Sequence, residues 1–375
     1  MDQLQHLIEG LVNKADNPKQ TVHDSIEKHG KKAIGTLPIY APEEIIYAAG
    51  YIPVGLWGGN IKSNKFNKYY PQFCCSIIKA DTELALNGHY DCLDAIITSA
   101  FCDTLKCATE IFKIALPETK IIPFVYPQNR KAQSGREYMI AEYKRLQSVL
   151  ECVSGKKITD EAFAESLSVY KKYRKEMREF TNLAGKHTDI IDSKTRHNII
   201  KAAFFMDKSE YTEIINKINL KLSSYPVTLP ERKVILTGLL SEPVKILEIL
   251  NDNGLYVVAD DLAQESRQFR TPDNDSDNIY EYLAERLALQ DGCAFLYDST
   301  KSRLDELKKL VRAHNADVVV YLQMKFCDPD EFDYPIIEKG LQAEDIPVLH
   351  IELEQQMESF GQIITRIQGF IESMT

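Results

Sequence analysis

Three thiols far apart in the chain carry the residue type needed to hold a redox cofactor. Cys102 closes the apolar run Ala95-Ile96-Ile97-Thr98-Ser99-Ala100-Phe101 and precedes Asp103. Cys327 closes Val318-Val319-Val320-Tyr321-Leu322-Gln323-Met324-Lys325-Phe326 and precedes Asp328. Each run reads as a buried parallel strand, and open α/β sheets bind ligands in the crevice outside the carboxyl ends of their strands. Two such domains facing each other would bring these thiols together. A third thiol comes from the adjacent pair Cys74-Cys75, which precedes a helical stretch. Three thiolates on one iron–sulfur cluster leave one iron without a protein ligand.

The alternatives for the same residues are blander. A lone cysteine is most often a small buried hydrophobe, and Cys152 and Cys293 are read that way. Cys102 and Cys107 form a C-x-x-x-x-C pair. If a helix starts at Asp103, five residues turn the chain by about 500°, or about 140° net, so the two thiols face different sides. Cys102, at the strand end, is then the candidate. Cys74 and Cys75 pose the same choice, because adjacent side chains diverge. Zinc lacks local support: there is no C-x-x-C, and His89, His314 and His350 are isolated.

Composition bounds the class. The chain has 375 residues, 44% hydrophobic and 27% charged, with a net charge of −10. That describes a globular protein of two or three domains. No apolar run approaches the roughly 20 residues that span a bilayer, and the N-terminus does not read as a signal peptide, so a cytoplasmic location is expected. The acidic balance argues against nucleic acid as a ligand. Lys171-Lys172-Tyr173-Arg174-Lys175 reads as a solvated helix face. Eight cysteines in such a chain are not expected to form a disulfide framework.

The elements that must position the thiols follow from periodicity. Residues 1–35 form an N-terminal helical segment, with Leu4, Leu7, Ile8 and Leu11 on one face. Residues 36–133 form a first α/β domain: a strand near Gly35, a helix starting near Pro42 and stopping at Gly50, a second strand, a helix at Cys75–Leu86, and strands at Asp94–Ala100 and Ile121–Val125. Residues 134–229 lack strand-like runs and read as a mostly helical section over both halves. Residues 230–375 form a second α/β domain with strands at Val234–Thr237, Tyr256–Ala259, Cys293–Tyr297, Val318–Gln323 and Val348–Ile351. The fold class is therefore α/β, two doubly wound, flavodoxin- or Rossmann-like parallel sheets plus a helical section. Gln268–Asn278 reads as a polar surface loop. Gly55-Leu-Trp-Gly-Gly59 reads as a turn rather than a nucleotide loop. Gly238-Leu-Leu-Ser-Glu-Pro243 reads as a βα turn, either with a Ser cap or with amides that bind an anion. Glu43 and Glu44 read as first-turn charges that suit the helix dipole.

Taken in order, several motifs resemble one family. They are Pro42-Glu-Glu44-Ile-Ile-Tyr-Ala-Ala-Gly50-Tyr-Ile-Pro53, Cys75-Ser-Ile-Ile-Lys79, Cys102-Asp-Thr-Leu-Lys106, Gly238 with Pro243, Asp260-Asp261, and Lys325-Phe-Cys327-Asp-Pro. The chain is similar, from about residue 35 onward, to the 2-hydroxyacyl-CoA dehydratases (component D) of amino-acid-fermenting anaerobes, and its length resembles their smaller, β subunit. The resemblance implies a heterodimer with a larger homologous α subunit, a [4Fe-4S] cluster held by three cysteines in each subunit, and a separate ATP-dependent iron–sulfur activator. It implies a lyase reaction, the reversible loss of water from an (R)-2-hydroxyacyl-CoA such as 2-hydroxyisocaproyl-CoA to a 2-enoyl-CoA through a substrate ketyl radical. One electron makes the β-hydrogen acidic and is then recovered. Cys75, Cys102 and Cys327 match the cluster ligands, with Cys74 as the rival to Cys75. Glu44 matches the acidic position of a P-x-E motif, as a catalytic residue or as a helix cap. Substrate is expected mainly on the partner subunit, with this chain's cluster relaying the electron. A benzoyl-CoA reductase-type or double-cubane reductase subunit, and a non-catalytic relay scaffold, are the rival readings.

Overall fold

The computed structural model describes residues 3–374. The chain opens with two helices, α1 (Gln3–Asp16) and α2 (Pro18–His29), where one amphipathic helix is expected. Pro18 lacks the N–H that would continue α1, so the chain restarts there with Pro at the first turn. Leu4, Ile8, Leu11 and Ala15 form the buried stripe of α1, which packs on a later helix of the middle section.

The first sheet is built from β1 (Lys32–Thr36), α3 (Glu43–Ala48), β2 (Tyr51–Gly55), α4 (Ser76–Leu86), β3 (Leu93–Ser99), α5 (Asp103–Ala115) and β4 (Lys120–Phe124). Its order is β2-β1-β3-β4 and every pairing is parallel. Four helices follow, α6 (Gln133–Ser154), α7 (Asp160–Ala184), α8 (Ser193–Ala202) and α9 (Lys208–Leu222). Three of them start on side-chain caps: Thr159 accepts from the Ala162 amide, Asp192 from Thr195, and Asp207 from Ser209 and Glu210. Met177, Phe180, Ile199, Tyr211 and Ile215 join the α1 stripe in one apolar core.

The second sheet uses β5 (Arg232–Gly238), α10 (Lys245–Asp252), β6 (Leu255–Leu262), α11 (Ile279–Ala288), α12 (Arg303–His314), β7 (Val318–Met324), α13 (Asp328–Gln342), β8 (Val348–Leu353) and α14 (Gly361–Ser373). Its order is β6-β5-β7-β8, again all parallel. The two sheets thus repeat one strand order. In each, the chain runs outward from the first strand to one side and then crosses to the other, which creates a crevice between β1 and β3 and another between β5 and β7. At the end of β5, Gly238 has φ +141°, and an added Cβ would sit 2.1 Å from the Leu322 carbonyl oxygen on β7. Only glycine fits that close approach.

The strand expected at Cys293–Tyr297 does not form. Buried Arg130 reaches this region from ahead of α6 and donates to the carbonyls of Leu287 (2.9 Å), Gln290 (2.5 Å) and Tyr297 (2.6 Å). Side-chain donors replace part of a ladder, and Gly292, with φ +68°, turns the chain. The segment's apolar residues, Cys293 and Leu296, are still buried, in a core that runs from Ile34 and Ile97 of the first sheet to Leu239 and Met324 of the second. Among the described residues no helix is long and apolar enough to cross a membrane.

Candidate functional site

Cys75, Cys102 and Cys327 are the residues immediately before α4, α5 and α13. Two of those helices follow β3 and β7, the strands that border the crevices, so the fold delivers their N-termini to one place. Cys75, Cys102 and Cys327 line a single mainly apolar cavity of about 40 Å³, walled by Trp57, Leu239 and Phe295. Phe326 helps to aim Cys327. It takes a left-handed conformation, φ +62°, which turns the chain out of β7, and its N–H donates to Glu331 Oε1 at 2.9 Å.

The thiols share one electrostatic pattern. Burial pushes Cys75 up to about 12, raises Cys102, and raises Cys327 well above an ordinary thiol. The charges of Cys75 and Cys102 push Cys327 in the same direction, and that of Cys102 pushes Cys75. What opposes burial is backbone: the Ile77 and Ile78 amides at Cys75, those of Thr104 and Leu105 at Cys102, and that of Asp330 at Cys327. Helix N-termini favour negative charge. The residues therefore fit a cationic prosthetic group that takes thiolates, because a coordinating metal deprotonates a thiol outright. Among the described residues no group of three His, Cys, Asp or Glu is placed to hold a single metal ion. The donor set is one of three sulfurs in an apolar pocket, as clusters use, and lacks the imidazoles and local pairs common at zinc sites.

Cys74 is also buried but does not line this cavity; it packs among Leu37, Leu105 and Phe112. Cys107 is exposed, one turn along α5 and away from Cys102. Cys293 is a core thiol that accepts from Arg267 at 3.6 Å. Cys152 is exposed, contrary to its expected burial.

Glu44 is absent from the lining of the cysteine cavity. It is neither a helix cap nor a solvated first-turn charge: its carboxylate accepts from Arg174 Nη1 at 2.6 Å, and both side chains are nearly inaccessible. Arg174, expected on a solvated face, also donates to Asp273 (2.8 Å) and Tyr282 (2.5 Å). That pull draws in the loop expected at the surface, where Phe269 and Thr271 are buried. A charged network at this position leaves no periodic trace, because Glu44 and its partners are distant in sequence.

Two further polar networks carry no local motif either. Asp261, at the end of β6, is held by Arg267 (2.6 Å), Arg270 (2.5 Å) and Arg303 (3.1 Å), and those guanidiniums overcome burial to hold its carboxyl well below the usual range. Beside it, Ser241 Oγ lies 2.8 Å from His197 Nδ1, and Glu265 lies 2.9 Å from the same nitrogen. The composition is that of a nucleophilic triad, with Glu242 Oε1 3.5 Å from the other ring nitrogen, but Ser241 Oγ also donates to Glu265 and all four residues are buried, so the hydroxyl is not presented to a substrate. Ser241 is thus a tether of the β5–α10 connection and not the cap expected there.

The comparisons place this architecture. Residues 38–374 match the family model for the D-component of 2-hydroxyglutaryl-CoA dehydratase. The chain belongs to that family, and so to the dehydratase class of lyases. It is 38% identical to the (R)-phenyllactyl-CoA dehydratase beta subunit of Clostridium sporogenes over 96% of each chain. It is 37% identical to the lactoyl-CoA dehydratase subunit beta of Anaerotignum propionicum over the whole of each chain. It is 36% identical to the (R)-2-hydroxyglutaryl-CoA dehydratase subunit beta of Acidaminococcus fermentans over 98% of this chain and 99% of that one.

Proposed function

We propose that this chain is the β subunit of an iron–sulfur (R)-2-hydroxyacyl-CoA dehydratase and that Cys75, Cys102 and Cys327 hold a [4Fe-4S] cluster. The observation that carries the reading is the meeting of three helix-start thiols, two of them from crevice-bordering strands of separate sheets, in one apolar cavity. When bound, the cluster would supply a one-electron path. The chain's own part is to present three sulfurs, to favour their thiolates with first-turn amides, and to keep water away with Trp57, Leu239 and Phe295.

The overall reaction is loss of water from the 2-hydroxyacyl-CoA to the 2-enoyl-CoA. A larger α subunit would hold most of the acyl-CoA, this chain would relay the electron, and an ATP-dependent activator would deliver it. Glu44 serves that work at a distance, by fixing Arg174 between α3 and α7, and does not touch the thiol cavity. (R)-2-hydroxyisocaproyl-CoA is the proposed acyl chain.

Anaerobic reconstitution tests the division of labour. Turnover should need this chain, the α subunit, the activator, Mg-ATP and a one-electron reductant together. Among 2-hydroxyisocaproyl-, phenyllactyl- and lactoyl-CoA, the first should give the highest kcat/KM. Turnover by this chain alone, without ATP, would place the active site wrongly.

A further inference from the structure

A second cavity, apart from the cysteines, is lined in part by donors that the rest of the protein does not use. It holds about 70 Å³ between α3, α7 and α11, with Arg174, Lys208 and Arg286 in its wall. Arg174 and Lys208 have carboxylate partners, Glu44 (2.6 Å) and Glu43 (3.1 Å). Arg286 has none: its bond among the described residues is to the Gln268 carbonyl at 3.0 Å, and its buried Nε has no acceptor. The hydroxyls of Tyr143 and Tyr173, also in the wall, have no hydrogen-bond partner among the described residues.

The charges do not balance. The wall itself holds three cations, Arg174, Lys208 and Arg286, against two carboxylates, Glu43 and Glu44; Asp273, outside the wall, is shared by Arg174 and the partly exposed Arg178. One positive charge is left over, on Arg286. Arg286 is half-buried with its Nε enclosed, and withdrawing a cation from water with no carboxylate in contact is costly; burial, and then Arg174 beside it, pull the guanidinium down to about 10, against the opposing charges of Glu44 and Asp273. It remains protonated at neutral pH all the same.

We propose that this cavity is a binding site for one small monovalent anion, a halide or a short carboxylate, held by Arg286 with the Tyr143 and Tyr173 hydroxyls. The space admits such an ion with few waters and excludes a nucleotide or a CoA thioester. The anion supplies the missing negative charge and accepts from donors that otherwise point at nothing. The site is independent of the cluster assignment, so either can fail alone. Its place is structural, where α3, α7 and α11 meet around Glu44.

The test uses the full chain with bromide as the probe. Crystals soaked in sodium bromide should show an anomalous peak in this cavity within hydrogen-bonding distance of the Arg286 guanidinium. In solution, bromide should raise Tm by about 2 °C over gluconate at equal ionic strength, by preferential binding to the native state. Arg286→Gln should lose both the peak and the shift; if that variant does not fold, Arg286→Lys should fold and bind with a weaker shift. Displacement of the peak by acetate would assign the natural ligand to the carboxylates, and its persistence in acetate to the inorganic ions. No peak in the wild-type protein, or an equal peak and shift in Arg286→Gln, would overturn the proposal.

Discussion

The two sheets share a strand order but use their carboxyl ends differently. β3 and β7 are equivalent strands, and each is followed by a cysteine at a helix start, Cys102 and Cys327. β2 and β6 are equivalent as well, yet they diverge. The connection from β2 leads to Cys75 and α4. β6 ends on Asp260-Asp261, whose carboxylates are taken up by Arg196, Arg267, Arg270 and Arg303. One scaffold thus supplies two thiols from the first sheet and one from the second, and fills the fourth equivalent place with buried ion pairs. The lesson is that a repeated topology fixes where a side chain can be offered, whereas residue type decides whether that place presents a thiol or braces the fold.

The strongest way to break this comparison is to treat the thiols as unequal. Cys102→Ser and Cys327→Ser should each abolish or degrade the iron–sulfur chromophore, as should Cys75→Ser, while Cys74→Ser, Cys152→Ser and Cys293→Ser keep it. Visible absorbance with iron and sulfide analysis reads the outcome, and loss in Cys74→Ser with retention in Cys75→Ser would reassign the third ligand.

The fourth place should fail by unfolding instead. Asp261→Asn leaves buried Arg267 and half-buried Arg270 without their carboxylate, and should cost about 3–5 kcal/mol in denaturant unfolding. In the folded protein of this variant the iron content per chain should be unchanged.

The second half should also be the acid-labile one. Burial would raise Glu242 and Glu265, but Lys201 and His197 beside the first, and Arg196 and His197 beside the second, hold both at about 2. Their folded values lie below an ordinary glutamate, so their stabilisation is complete above about pH 4.3 and is lost as pH falls toward 2. Tm should drop across that window, and Glu242→Gln should flatten the slope.

The smallest effect concerns the join between the halves. Ser76, in the first turn of α4, accepts from the Gln355 amide at 3.0 Å and donates to Met324 Sδ at 2.9 Å. Ser76→Ala should cost about 1–2 kcal/mol by leaving that amide unpaired. Equilibrium unfolding would show it, and a null result would mean that the join relies on its apolar contacts alone.

What sequence made legible follows the same division. Val318–Met324 is a continuous buried run, and Leu93–Ser99 is one apart from Asp94, so these strands and their cysteine ends are legible directly. The Cys293–Tyr297 run has the same apolar look, but Arg130 satisfies its neighbouring carbonyls from a distant segment, which no local pattern encodes. That Cys75 and not Cys74 lines the cavity depends on where α4 starts, since adjacent residues differ only in the side they face. Glu44 reads as a first-turn charge in the sequence because its partner Arg174 lies 130 residues away, inside a run of lysines. Periodicity reports burial; it is silent on which buried charges meet.

The central claim is that the three helix-start thiols hold one cluster. Purification of the full chain without oxygen, followed by iron, sulfide and zinc analysis, tests it most directly. The account predicts iron and acid-labile sulfide in equal amounts, close to a full [4Fe-4S] complement, with a brown absorbance near 400 nm that bleaches in air. Stoichiometric zinc, or protein without iron, would contradict it.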